Sequence, residues 1–297
     1  MIRNLLFASA LLLPFAAQAD DSRDCRHSAP RQIDLDMEGV RTVTFDVGRH
    51  QLRLEASSGA GGALEGRACA SNAGWLEKLQ VGQRRDGDRL HVELRYDQPP
   101  RGIFLGRNYA RLELAGSIPR DVAVELSVGS GDALVAGASS LGVKLGSGDV
   151  DGRSISGPVA ATVGSGDLAL SGIGSLDIRS IGSGDVEVER VEGDAVIGSI
   201  GSGDLEVRGV GGNASIRSIG SGDAELSGVR GDVTAGSIGS GDLQLRDVGG
   251  SVTLESLGSG DFEAHGVGGD FTVTSKGSGD IRHRDVAGEV DVPNTCR

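Results

Sequence analysis

The sequence predicts an all-β protein: a parallel β-solenoid with coils of about 19 residues, preceded by a β-rich N-terminal cap. Three observations predict it. The word Gly-Ser-Gly-Asp occurs nine times, with its aspartates at Asp132, Asp149, Asp167, Asp185, Asp204, Asp223, Asp242, Asp261 and Asp280. Their spacings are 17, 18 and 18 residues, then 19 throughout. Between the words, apolar and polar residues alternate with period two, and no long stretch shows capped helical spacing.

The residue after the aspartate is apolar: Val150, Leu168, Val186, Leu205, Leu243, Phe262. Two positions on, Leu170, Val188, Val207, Leu226 and Leu245 are apolar again, with Glu187, Glu206, Glu225 and Gln244 set between. This is a short strand with one buried face. Six positions after the aspartate, Ile173, Val191, Val210, Val229, Val248 and Val267 plug the core where the strand ends. A second strand follows a glycine corner, as in Leu176 and Ile178, Ala214 and Ile216, Val252 and Leu254, or Phe271 and Val273. One such repeat cannot bury its side chains. Stacked about 4.8 Å apart, the repeats turn these columns into one continuous core.

In this reading the glycines of the word supply positive φ and let corners stack, while Ser and Asp bond nearby backbone N–H groups. The apolar residue before the word gives way to Lys276 in the last repeat, and His283 replaces a core residue. A polar last coil resists edge-to-edge growth.

Residues 1–19 read as a signal peptide, with Arg3, an apolar run, and Ala17-Gln18-Ala19 as the cleavage site. Residues 20–126 form the cap, 127–292 the solenoid and 293–297 a tail. Within the cap, residues 41–47, 51–55, 89–96 and 111–115 alternate like strands of an antiparallel sheet. Asp86-Gly87-Asp88 is a turn and Pro99-Pro100-Arg101-Gly102 a loop. Export places Cys25 and Cys69 in an oxidising compartment, where they are expected to pair. Cys296 is left as a surface thiol or an intermolecular bridge.

The net charge of −13 lies wholly in the repeats: residues 1–128 hold 17 acidic and 17 basic side chains, residues 129–297 hold 25 and 12. Such a surface argues against nucleic acid and anionic lipid as partners. No segment after residue 19 is long and apolar enough to span a membrane.

The repeated carboxylates are the first candidates for chemistry. Asp167, Asp185, Asp204, Asp223, Asp242 and Asp261 stand one coil apart and form a candidate calcium ladder. The calcium-binding nonapeptide places a residue between its second glycine and its aspartate, whereas Gly203 and Asp204 are adjacent. Turn bonding is therefore the favoured reading, with no cofactor, and a calcium-stabilised β-roll is the alternative. A polysaccharide-active β-helix enzyme is the other alternative. It needs unlike acids and bases on one face, and the repeats offer Glu187, Glu206 and Glu225 without distinction. His27, His265 and His283 match no metal spacing, and no catalytic residue is assigned. Trp75 and Tyr109 read as cap core, and Arg84, Arg85, Arg107 and Arg111 as solvated strand ends.

Ile118-Pro119-Arg120-Asp121-Val122-Ala123-Val124-Glu125-Leu126 leads directly into Ser127-Val128-Gly129-Ser130-Gly131-Asp132 after a signal segment and a β-rich lead-in. This arrangement resembles the bacterial "putative adhesin" family, domains of unknown function that form β-solenoids. The resemblance covers nearly the whole mature chain and implies a solenoid without catalytic residues. The expectation is an exported, non-catalytic rod, periplasmic or on the cell surface. Its structural, adhesive or binding role would engage envelope or surface glycans or proteins.

Overall fold

The computed structural model describes residues 25–59, 61–97 and 108–293. The signal segment, residues 99–102, Arg107 and Cys296 lie outside them. The chain before the repeats forms β1 (His27–Asp34), β2 (Thr42–Gly48), β3 (Gln51–Ser57), β4 (Ala63–Ala70), β5 (Leu79–Asp86), β6 (Arg89–Tyr96) and β7 (Ala110–Pro119). The repeats begin with β8 (Ala123–Val128), β9 (Asp132–Ala136) and β10 (Ser140–Leu145). Next come the long strands β11 (Asp149–Val163) and β12 (Leu168–Ile181), each of which crosses a corner. From β13 (Val186–Val191) and β14 (Ala195–Ile200) the strands keep a constant length up to β23 (Ile281–Val286), and β24 (Val290–Asp291) closes the rod.

Two parallel ladders build this solenoid, and each coil places one strand in each. The first ladder runs β6, β2, β8, β10 and the C-terminal half of β11, and on to β24. The second runs β7, β3, β9 and the N-terminal half of β11, and on to β23. Residues 42–57 thus lie in space between two coils that follow them in sequence. This corrects the antiparallel expectation for 41–47 and 51–55, since β2 and β3 pair in parallel on both sides, whereas 89–96 and 111–115 pair antiparallel on one side, with β5 and β4, and parallel on the other. Alternation reports one buried face and is silent on a partner's direction. Among the described residues antiparallel pairing is confined to β1 with β4, β4 with β7 and β5 with β6, which cover the N-terminal end.

The coil after Asp204 shows how the core is filled. Leu205, Val207, Val210, Ala214, Ile216 and Ile219 all point inward and are buried. Val207 and Val210 are three apart, so one strand residue must be absorbed without flipping the next side chain outward. The residue five after each aspartate does this in the left-handed region: Gly137, Ser154, Gly172, Arg190, Gly209, Gly228, Asp247, Gly266 and Asp285. Sequence reasoning missed this column because four of its members are not glycine.

The glycines of the word are required for a different reason from the one expected, because none of them has positive φ. A Cβ on Gly222 would sit 1.9 Å from the Gly203 carbonyl oxygen, and one on Gly260 would sit 1.8 Å from that of Gly241. Corners stack backbone on backbone: the Ser202 and Gly203 N–H groups both donate to the Gly182 oxygen, at 2.8 and 3.1 Å. The two 18-residue periods arise differently. After Asp149 the chain has one residue, Thr162, between Ala161 and Val163 where the next coil has two, Arg179 and Ser180. After Asp167 it shortens the corner between Ile173 and Leu176, and the register between β11 and β12 shifts at both places.

Gly48-Arg49-His50-Gln51 takes the place of the word in the coil built from β2 and β3. Gln51 is in register with Asp132 and donates Nε2 to its Oδ2 at 3.0 Å. His50 stands where later coils have the second glycine. Its side chain, 2% exposed, accepts the Leu112 N–H at Nδ1 over 3.0 Å. Burial first, and the Arg49 charge second, lower its pKa to about 4. The folded value lies below the unfolded one, so this stabilisation is complete above about pH 6.5 and is lost as pH falls toward 4. Between pH 7.5 and 5.0 the unfolding free energy of the native chain should fall by about 2 kcal/mol more than that of His50→Gln. Urea titrations at the two pH values measure this, and an equal fall in both would contradict it.

Candidate functional site

The rod presents two outer faces and two stacks of corners. In the Gly-Ser-Gly-Asp stack, each carboxylate from Asp167 to Asp261 accepts a backbone N–H from the following coil. Asp185 N–H donates to Asp167 Oδ1 at 3.2 Å, Asp223 to Asp204 at 3.0 Å and Asp261 to Asp242 at 2.7 Å. The aspartates therefore tie coil to coil. The expected bond within their own turn is replaced because the Ser and Gly N–H groups are spent on the preceding coil. The opposite stack repeats the device with other side chains. Asn213 N–H donates to Asp194 at 2.8 Å, Asp232 to Asn213 at 2.9 Å, and Asp270 to Ser251 Oγ at 3.0 Å.

The structure brings Asp167, Asp185, Asp204, Asp223, Asp242 and Asp261 into one column through these bonds. Beside it on the outer face of the second ladder runs a column of Glu187, Glu206, Glu225 and Glu263, and beside that one of arginines. Arg208 pairs with Glu187 of the coil before at 2.7 Å, Arg284 with Glu263 at 3.5 Å, and Arg246 with Glu225. The hydrogen bond to Glu187 raises the Arg208 pKa. The Asp280 N–H, aided by Arg282, lowers that of Asp261. Like charges one coil apart are thus offset by N–H donors and diagonal ion pairs. Two shallow clefts follow this face. One, of about 590 Å³, touches Arg53, Asp149, Asp151, Asp167 and Glu187, and the next, of about 400 Å³, continues past Asp204 and Asp223.

The outer face of the first ladder is different. Ser180, Ser199, Ser218, Ser237, Ser256 and Ser275 stand in register, as do Thr234, Thr253 and Thr272. Sequence reading missed this hydroxyl face, although the 19-residue recurrence of these serines was there to see.

The remaining candidates are scattered. His265 Nε2 lies 3.1 Å from Asp285 Oδ2, and the His283 ring packs 5.3 Å from Phe271 at the C-terminal end. Trp75 is half-buried against the core, and the Tyr109 hydroxyl accepts the Arg26 N–H at 2.7 Å. Arg85 pairs with Asp36, Arg111 with Glu113, and Arg84 is exposed. Cys25 and Cys69 are joined by a disulfide, with Cα atoms 5.5 Å apart, which ties the start of β1 to β4. Closing a loop of that length restricts the unfolded chain by about 4 kcal/mol.

No family model matches the chain, and no curated protein matches it. Among solved structures it is similar to a "putative adhesin" from Bacteroides fragilis at 14% identity, covering 88% of this chain and 99% of that one, with a TM-score of 0.38. A "putative lipid binding protein" from Parabacteroides distasonis is 14% identical over 89% and 97% of the two chains, with a TM-score of 0.34. A "putative cell adhesion protein" from Clostridium sporogenes is 9% identical over 89% and 98%, with a TM-score of 0.25. At such low TM-scores these likenesses carry no argument, and the reading rests on the chain's own geometry.

If each aspartate acts as an N–H acceptor between coils, an amide should serve as well, as Asn213 already does. Asp223→Asn is expected to match or exceed the native stability. Asp223→Ala should lose about 1 kcal/mol. Thermal and urea unfolding measure both, and a loss in Asp223→Asn equal to that in Asp223→Ala would contradict the assignment.

Proposed function

We propose that the chain is exported and works as a non-catalytic binding rod of the cell envelope. The observation that carries this is the repetition of its acidic columns, in which no coil is singled out. Catalysis needs unlike groups converging on one reacting atom. Here the aspartate column and most of the glutamate column recur coil after coil, and the constant period from Asp185 to Asp280 inserts no loop to build a deep cleft. Many weak identical contacts along a stiff surface suit an extended, repetitive partner. The Cys25–Cys69 disulfide suits an oxidising compartment.

The test is location. A tagged chain expressed in its native host is fractionated, and intact cells are shaved with protease. The reading expects a mature chain lacking residues 1–19, with Cys25 and Cys69 oxidised. Cleavage on intact cells would assign it to adhesion at the surface, and protection would assign it to scaffolding in the periplasm. An unprocessed chain in the cytoplasm with both thiols reduced would overturn the proposal.

A further inference from the structure

The hydroxyl face also holds the charges that the ion-pair ladders leave unused. Lys144, Arg179 and Arg217 all point outward from the first ladder and are exposed. None of them pairs with an acid among the described residues, although the chain carries an excess of thirteen negative charges. They recur in alternate coils. Arg179 lies in β12, Gly198 stands beside it in β14, and Arg217 follows in β16 (Ala214–Ile219). Lys144 lies two coils before Arg179, offset by the register shift that inserts Arg179 itself. Two coil spacings are about 9.6 Å, so the cations mark the rod at that interval.

Packing enforces the gap between them. A Cβ on Gly198 would come within 2.1 Å of the Arg179 carbonyl oxygen, and one on Gly236 within 2.3 Å of that of Arg217. Each guanidinium is therefore followed by a bare backbone step. Beside Gly198 sits Val196, 47% exposed, one of two large apolar side chains so exposed among the described residues. In the coil between Lys144 and Arg179 the outward residues are Thr162, in register with Lys144, and Ala160 beside it, in a cleft of about 320 Å³ that also holds Thr44, Ser127 and Asp177. Glu125 lines the same cleft but is engaged by Arg89. Along the axis one column runs Lys144, Thr162, Arg179, Gly198, Arg217, so cations alternate with small residues, and the column beside it runs Ala160, Asp177, Val196, with the apolar side chains in the intervening coils.

We propose that this face binds a linear anionic polysaccharide whose repeating disaccharide carries one carboxylate. The chain lies along the rod axis. Acidic sugars pair with Lys144, Arg179 and Arg217, and the intervening neutral sugars rest their C–H faces on Ala160 and on Val196 with Gly198. Thr44, Ser127, Thr162 and Asp177 bond the sugar hydroxyls. A strand of nucleic acid carries a phosphate about every 3.4 Å and would leave most of its charges unmatched here. The rod has few aromatics for stacking neutral sugars, so the charges set the preference. The inference rests on the reading of the chain as a binding rod and names the partner class.

The test uses the mature chain and a hexasaccharide alternating glucuronic acid with N-acetylglucosamine, followed by calorimetry at low salt. Lys144→Gln/Arg179→Gln/Arg217→Gln should bind at least tenfold more weakly, and Val196→Glu should also weaken binding. Arg230→Gln, an exposed cation elsewhere on the rod, should bind as the native chain does. All these side chains point into solvent, and melting curves check that each variant keeps its fold. Three results would overturn the proposal: no binding by the native chain, equal binding by the triple variant, or equal binding of oligothymidylate or polyglutamate. A cytoplasmic chain that still bound the hexasaccharide would sink the export reading and leave this one standing.

Discussion

Everything in this molecule depends on one steric constraint, the approach of one corner's backbone to the carbonyl of the corner before it. Parallel strands about 4.8 Å apart leave no room for a Cβ where that approach is closest. The second glycine of each word sits there, and nearly every coil repeats it. Once that contact is made, the strand register follows. The inward columns then align, and the interior becomes stacked Leu, Val and Ile, with Phe262 stacked on Phe271 near the C-terminal end.

The same constraint organises the polar atoms. Corner N–H groups are satisfied by the carbonyls below them, which leaves the aspartate N–H to be met by a carboxylate from the preceding coil. Aspartate is thus a coil-to-coil fastener, and its charge is a consequence that the rest of the surface must manage. Arg282, two residues and one coil further on, does so for Asp261, as Arg208, Arg246 and Arg284 do for the neighbouring glutamates. Where the rod starts, the rule is relaxed. His50 replaces a glycine because its side chain finds the Leu112 N–H in place of a stacked corner.

Much of this was legible beforehand. The 19-residue recurrence and the period-two alternation specify stacked strands, and Leu205, Val207, Ile216 and their counterparts are inward as read. The direction of pairing at β2 and β3 was not legible, because alternation is identical in parallel and antiparallel sheets. Nor was the left-handed column, since Arg190 and Asp247 carry no signal of positive φ. The outer faces were only half legible. The glutamates and aspartates announce themselves by repetition, whereas the placing of Lys144, Arg179 and Arg217 depends on register shifts visible only in three dimensions.

The measurement that tests the central claim most directly is the stability of Gly222→Ala against that of Ser221→Ala. The Gly222 Cβ would meet the Gly203 oxygen at 1.9 Å, a backbone atom held by the stack, while Ser221 is exposed in the same corner. The account predicts a loss of about 3 kcal/mol or more for Gly222→Ala and less than about 0.5 kcal/mol for Ser221→Ala in urea unfolding. Equal tolerance of the two substitutions would contradict it.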